Sequence, residues 1–230
     1  MIACDASLSG VRPRAIKADM LHKRLNACAL AMLVFTLGLA GATAAEDPFT
    51  FSPPKNWRPE RIPFPLGFAP DMKYRGFEEL RFGPGMFQPG SKTYWSYGFF
   101  WWLEGKQKVN EATLKRDLEI YYKGLSKAVG GSRKLQLDLE KVSAKVKAAE
   151  SESNETGKGI HKIRYTADLK THDAFATGKL LELRAEISVH YFPELDRTWA
   201  WFSVAPKAAD ASVWKTMRTM RDSFSVRRPD

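Results

Sequence analysis

The sequence predicts an α+β fold in which a mostly antiparallel β-sheet packs with two main helices, over residues 111–129 and 211–222. Strand-like alternation of apolar and polar residues recurs in consecutive segments, whereas helical spacing is confined to two segments. No repeated alternation of strand and helix connects them. Runs of strands with helices at intervals are typical of an antiparallel sheet with helices packed on it.

The segment before this domain has the three-part layout of a secretory signal peptide. A basic cluster at residues 22–24 is followed by an apolar run over 27–40 and by small residues over 41–45. The apolar run is shorter than the roughly 20 residues that a membrane-spanning helix needs. We therefore expect export, cleavage after Ala44 or Ala45, and no stable membrane span after cleavage.

This assignment divides the chain into three parts. Residues 20–45 are the signal peptide, and residues 46–230 form a single α+β domain outside the cytoplasm, in a periplasm or in the medium. Residues 1–19 have no apolar pattern, so we interpret them as an over-extended start and Met20 as the initiator.

Removal of the leader changes the cysteine content and the charge of the mature protein. Both cysteines, Cys4 and Cys28, lie in the leader region, so the mature domain has no disulfide and no cysteine metal ligand. The full chain has a formal charge of +10, and residues 1–45 contain five basic and two acidic residues, which leaves +7. A cationic exported domain suits an envelope protein or an anionic or glycan polymer as partner, whereas the scattered charges argue against nucleic acid.

The first part of the mature domain, residues 46–92, is rich in proline and aromatic residues. Nine of the thirteen prolines of the chain lie between Pro48 and Pro89. Proline removes a backbone donor and fixes φ, so long helices are excluded and short strands with ordered loops are expected. The interleaved aromatic residues can bury surface, so we expect this segment to wrap the core.

The next two elements have clear patterns. Residues 94–103, YWSYGFFWWL, have apolar side chains at both odd and even positions. Because alternate residues of a strand face opposite sides, this pattern predicts a strand buried on both faces. Asn110 then precedes a helix over residues 111–129, with apolar residues at helical spacing. We expect Asn110 to cap this helix and Gly130 and Gly131 to close it.

The remainder of the chain predicts a meander of strands and a last helix. Alternation starts at Leu135, reverses its parity near residues 140–141, and resumes over 161–169 and 181–191. Trp199, Trp201 and Phe202 mark a further strand. Asp210 is expected to cap the last helix, whose inward-facing residues are Val213, Trp214, Met217 and Met220.

Both ends of the mature domain resemble the PsbP/Mog1-like sandwich domains. Residues 49–57, FTFSPPKNW, look like the strand and "P-x-x-W" start of that family, and residues 214–226 look like its terminal helix running into an "SF-x-V" strand. The order of elements is also similar. The resemblance implies a central antiparallel sheet with helices on both sides, and a non-catalytic role in binding a protein partner or assisting assembly.

Aromatic residues provide the main candidate for a ligand or partner surface. They offer flat faces that stack on sugars or anchor a partner where they are exposed, whereas in the alternative interpretation they build the core. The candidates are Trp95, Tyr97, Trp101, Trp102, Trp199 and Trp201.

The sequence lacks the residue spacings that are typical of known catalytic sites, so we expect a non-enzymatic binding or assembly module of the cell envelope. The alternative is an extracytoplasmic hydrolase with a site around His172 and Asp173, which lie in a predicted loop. His172 would act as the general base, and Asp173 would orient its ring. Glu78 and Glu79 are successive residues that face opposite sides of a strand, so they do not form one acid-base couple. No spacing indicates a metal site or a bound cofactor.

Overall fold

The predicted α+β class is confirmed by a computed structural model, which describes residues 46–149 and 163–227. The expected leader, residues 20–45, lies outside the described residues. In the described part, the helices are α1 (Glu111–Ser132) and α2 (Ser212–Asp222). The strands are β1 (Phe49–Thr50), β2 (Arg58–Pro63), β3 (Gly76–Phe82), β4 (Tyr97–Glu104), β5 (Ser143–Ala148), β6 (Ile163–His172), β7 (Leu180–Phe192), β8 (Arg197–Ala205) and β9 (Ser225–Val226).

Seven strands form one sheet in the order β2-β3-β4-β8-β7-β6-β5, and every neighbouring pair is antiparallel. The predicted antiparallel sheet is therefore confirmed. β1 and β9 form a separate two-stranded ladder that joins the two ends of the domain. β4 and β8 lie side by side near the middle of the sheet, where Phe99 is opposite Phe202.

The two helices cover opposite faces of the sheet, as the family resemblance implies. Leu114, Leu118 and Tyr121 of α1 belong to a core that includes Phe99 of β4. Trp214 and Met217 of α2 belong to the core on the other face. Both faces of the central strands therefore meet apolar neighbours. The strand predicted over residues 94–103 is confirmed for 97–103, whereas residues 94 and 95 belong to a turn before it.

The start of α1 is the predicted one, but its end is not. The Asn110 side chain accepts from the Thr113 amide while the Thr113 hydroxyl accepts from the Asn110 amide, which is a capping box. The helix continues through the two glycines to Ser132, and Lys134, with φ of 57°, takes the left-handed position after it. The Leu135 amide donates to the Gly130 carbonyl, which completes a Schellman motif.

Gly130 has a packing role instead of a conformational one. A Cβ atom at this position would lie 2.5 Å from Cδ1 of Leu137, so a larger residue here would make the Leu137 side chain move. The alternation that starts at Leu135 therefore reflects a loop that packs against the helix end, and the strand predicted there is wrong. A 3₁₀ turn at Leu139–Lys141 then leads into β5.

The prediction for the cap of the last helix is also wrong. Ala211, not Asp210, is the N-cap of α2, and the helix has no side-chain capping hydrogen bond. Packing explains why the helix forms without that bond, because its inward-facing residues are buried against β4 and β8. Neither helix of the described residues is long and apolar enough to cross a membrane.

Candidate functional site

The six aromatic residues predicted as a candidate surface are all buried. Their exposed fractions lie between 0% and 3%, so they build the core and do not form an open platform. The physical reason is that helices and loops cover both faces of the central strands. Trp95, Tyr97 and Trp101 belong to the core under α1, whereas Trp102, Trp199 and Trp201 belong to the core under α2.

His172 and Asp173 are also buried, and they do not act as a pair. The two ring nitrogens of His172 lie 2.9 Å and 3.3 Å from the carbonyl oxygens of Asp138 and Gly178. These contacts hold the end of β6 against the 3₁₀ turn and the following loop. They leave neither ring nitrogen facing the Asp173 carboxylate.

The Asp173 carboxylate anchors the loop between β6 and β7. It accepts hydrogen bonds from the Tyr94 hydroxyl at 2.6 Å, from Trp95 Nε1 at 3.0 Å and from the amide and hydroxyl of Thr177. Burial raises its pKa, but these hydrogen bonds outweigh burial and lower the pKa below the ordinary 3.8. A carboxylate held by so many donors is a structural anchor and a poor general base.

Glu78 is the most perturbed acidic group in the described part of the chain. Its side chain is fully buried in the core under α1, with Oε1 at 3.2 Å from Trp101 Nε1 and Oε2 without a hydrogen-bond partner. Burial raises its pKa to about 8, while the hydrogen bond from Trp101 and the nearby Tyr121 hydroxyl oppose the shift. The carboxyl is therefore mostly protonated at neutral pH.

Glu79 confirms that the two successive glutamates face opposite sides. Its carboxylate lies 2.5 Å from Nε of Arg61 and 2.6 Å from Nη1 of Arg81, on the face away from α1. Arg61 also binds Asp47 in a bidentate ion pair, so this network connects the start of the mature domain to the sheet. Within residues 46–149 and 163–227, no group of three or more His, Cys, Asp and Glu side chains is arranged to hold a metal ion.

Two open concavities remain as candidate sites. The larger, which we call the end groove, has a volume of about 650 Å³ and lies where β3 begins and β4 ends. Its charged lining residues are Arg75, Glu104 and Arg197. Its apolar lining residues are Pro48, Phe64, Pro65, Phe77, Trp102 and Leu195, with Gly76 between them.

Gly76 determines the shape of the end groove. Its φ is +120°, and a Cβ atom there would lie 2.0 Å from the carbonyl oxygen of Trp102. Only glycine therefore lets β3 start so close to the end of β4. At the rim, Arg75 Nε and Glu104 Oε2 are 3.8 Å apart, and their side chains are 85% and 48% exposed. This ion pair is loose and weak.

The second concavity is part of an uncovered charged surface, which we call the basic face. It consists of the outward side chains of β5, β6 and β7, on the side opposite α1, and of the loop after β8. α2 covers β4 and β8 on this side. The basic residues of the face are Lys145, Lys147, Arg164, Lys170, Arg184 and Lys207, and its acidic residues are Asp168, Glu182 and Glu186.

The pairing register determines how these charges are arranged. Asp168 lies between Lys145 on one neighbouring strand and Arg184 on the other. Lys170 Nζ binds Glu182 at 2.9 Å. A hollow of about 450 Å³ lies between these strands and residues 206–209.

The third acidic group of the face is neutralised from α2. Nε and Nη2 of Arg218 bind the two carboxylate oxygens of Glu186 at 2.9 Å and 2.5 Å. With Arg218 included, seven basic residues and three acidic residues leave a formal excess of four positive charges on the basic face.

The alternation of apolar and polar residues in these strands predicts which side chains face outward, but it predicts neither concavity. The strand pairing decides which charges become neighbours on the basic face. The end groove combines residues from the segment before β1, the loop between β2 and β3, the strands β3 and β4, the turn before β8 and the start of β8, which are far apart in the sequence. Of these residues only Gly76 offers a sequence signal, because a glycine in a strand often marks a close backbone approach.

Comparison with known proteins adds two structural likenesses. No protein-family model matches the chain, and no curated protein matches it. A structure described as LpqN involved in cell envelope biogenesis of Mycobacterium tuberculosis is 11% identical, with a TM-score of 0.32 over 78% of this chain and 83% of that chain. Cyanobacterial PsbP (CyanoP) from Synechocystis sp. PCC 6803 is 11% identical, with a TM-score of 0.38 over 84% of this chain and 98% of that chain.

The second of these structures is a PsbP protein, the family that the terminal motifs resemble. Both TM-scores are below 0.5, so the function of this chain has to be inferred from its own residues.

Proposed function

We propose that this protein is an exported, non-enzymatic binding module of the cell envelope whose basic face binds an anionic polymer. The observation that carries the proposal is a formal excess of four positive charges, counted over the described residues of the basic face, on strands beside those that α2 packs against. An antiparallel sheet often leaves one face to solvent, but a face with a single dominant sign attracts partners of the opposite sign.

The spacing of the charges suits a partner with repeating anionic groups. Neighbouring strands are about 5 Å apart, and alternate residues along a strand are about 7 Å apart. Lys145, Lys170 and Arg184 occupy such positions on three adjacent strands. A polymer with an anionic group every few ångströms reaches several of these cations at once, whereas a single small anion reaches one or two.

Export places this face in contact with such polymers. The leader predicted over residues 20–45 directs the domain out of the cytoplasm, and the mature domain keeps a net charge of +7. Outside the cytoplasm, acidic envelope polymers are more abundant partners than nucleic acid. Mass spectrometry of the exported protein is expected to show a chain that starts at Ala45 or Glu46, and a chain that starts at Met20 or earlier would contradict the leader assignment.

The test measures binding of the purified protein to immobilised poly-glutamate and to uncharged dextran over a series of salt concentrations. We expect binding to poly-glutamate alone, with affinity that falls as salt rises, because screening weakens exposed charge pairs. The double variant Lys145→Gln with Arg184→Gln is expected to bind about tenfold more weakly, since each lost contact contributes up to about 1 kcal/mol.

A matched control removes the same charge from another surface. Lys55 and Lys127 are exposed and lie outside the basic face, so the double variant Lys55→Gln with Lys127→Gln has the same net charge as the test variant. We expect it to bind poly-glutamate nearly as well as the unmodified protein. Equal losses in both double variants would show that net charge alone drives binding and would overturn the assignment to the basic face.

The hydrolase alternative is less consistent with the geometry. His172 and Asp173 are buried, are held by separate partners, and line neither concavity. A hydrolytic site needs a base that reaches a bound substrate.

A further inference from the structure

The end groove has a composition unlike that of the basic face. Seven of its ten lining residues are apolar or glycine, three are charged, and none has a hydroxyl or amide side chain. Its volume of about 650 Å³ is typical of small-molecule sites. We propose that the end groove is a separate binding site for an aliphatic carboxylate, an amphiphile with one anionic head group and an apolar chain.

The apolar walls define the body of the ligand. Phe77 is only partly buried and provides apolar surface on which an alkyl chain is removed from water, at about 0.8 kcal/mol per buried methylene group. A sugar needs a hydrogen-bond partner for each of its several hydroxyls, and among the lining side chains the Trp102 indole N–H is the one neutral donor. A bound peptide backbone would also lack partners, because the backbone groups of β3 and β4 are paired within the sheet.

The rim defines the head group. Arg75 and Arg197 contribute two positive charges to the groove, and Glu104 contributes one negative charge. Glu104 is the register partner of Arg197, and it contacts Arg75 only through the loose 3.8 Å pair. A ligand carboxylate therefore competes with Glu104 for the Arg75 guanidinium, whereas Nη1 of Arg197 donates to the Asp196 carbonyl at 3.0 Å. Bidentate binding of a carboxylate is the geometry that arginine favours.

This competition predicts opposite effects for neighbouring substitutions. Arg75→Gln and Arg197→Gln each remove an attractive charge, so each is expected to weaken binding by about threefold. Glu104→Gln removes the competing carboxylate, so it is expected to strengthen binding by a similar factor. A site that depended on apolar contact alone would not respond to these three changes in opposite directions.

The experiment uses three probes below their aggregation concentrations, with isothermal titration calorimetry on the purified protein. Decanoate has both the chain and the anion, decanol has the chain alone, and acetate has the anion alone. We expect decanoate to bind, decanol to bind at least about fivefold more weakly than decanoate, and acetate to give no signal. Equal binding of decanoate and decanol, or no binding of decanoate, would overturn the proposal.

Arg184→Gln is the matched control, because Arg184 is an exposed arginine of the basic face and not of the end groove. It is expected to weaken poly-glutamate binding and to leave decanoate binding unchanged. If Arg184→Gln weakened decanoate binding as much as Arg75→Gln, the anion would bind at the basic face and the end-groove proposal would fail. The polymer proposal would survive that outcome, so the two failures are distinguishable. Circular dichroism of each variant confirms that the fold is intact.

Discussion

The isosteric substitution Glu78→Gln tests how the core tolerates a buried acid. Glu78 is fully buried between β3 and α1, and burial raises its pKa from 4.5 to about 8. In the unfolded chain the same carboxyl titrates near its ordinary pKa. Between these two values the folded protein holds a proton that the unfolded chain releases, so the free energy of unfolding falls as pH rises.

The magnitude follows from the two pKa values. One pKa unit corresponds to about 1.4 kcal/mol. The rise of the Glu78 pKa from 4.5 to about 8 therefore limits the total loss of unfolding free energy between these pH values to about 5 kcal/mol. The loss is absent below pH 4.5 and complete above pH 8. Glutamine does not titrate, so the variant lacks this pH dependence. The stability difference between variant and unmodified protein is expected to shift by about 3 kcal/mol in favour of the variant from pH 5 to pH 7.

Urea unfolding followed by tryptophan fluorescence at pH 5, 6, 7 and 8 measures the difference. Glu182→Gln is the matched control, because Glu182 is an exposed acid on a neighbouring part of the sheet. We expect its stability curve to run parallel to that of the unmodified protein. If the curve of Glu78→Gln also ran parallel to it across this range, Glu78 would be ionised in the folded core and our assignment would be refuted.

Three further substitutions test local features of the fold, each through the free energy of unfolding at pH 7. Gly76→Ala is expected to destabilise the protein by about 2 kcal/mol or more, because its Cβ would collide with the Trp102 carbonyl; a change below 0.5 kcal/mol would contradict the close approach. Asp173→Ala leaves the buried Trp95 donor without its acceptor, so we expect a loss of about 3 kcal/mol, and a neutral effect would show that the anchor is dispensable. Lys134→Gly relieves a left-handed backbone and is expected to stabilise the protein by about 1 kcal/mol, whereas Lys127→Gly within α1 is expected to destabilise it by a similar amount.

Local patterns predicted those elements whose physical cause is also local. The capping box at Asn110 depends on residues three apart, and the double burial of residues 97–103 is visible as an apolar sequence on both parities. The incorrect predictions concern elements that depend on remote contacts. Asp210 is predicted as the cap of α2, but that helix begins at Ser212 without a side-chain cap and packs on β4 and β8, which are distant in the sequence.

The candidate functional surfaces also separate into features that the sequence predicts and features that depend on the tertiary structure. An aromatic-rich sequence is compatible with an exposed platform and with a core, and the six candidate aromatic residues are buried because α1 and α2 cover opposite faces of one sheet. The positive charge of the mature domain could be calculated from composition. Its concentration on one side could not, because α2 packs on β4 and β8 and leaves exposed the described outward charges of β5 and β6 and part of β7.

The sequence by itself determined the α+β class, the antiparallel character of the sheet, the start of α1 and the expectation of export. These properties depend on periodicity, composition and interactions between residues close in the chain, all of which can be read from the linear sequence. Only the tertiary structure decided that the aromatic residues form the core, that Glu78 is fully buried with a raised pKa, and that Arg75, Glu104 and Arg197 line one groove. The physical reason is that burial and charge pairing depend on strand register and helix placement, which bring together residues that are distant in the chain.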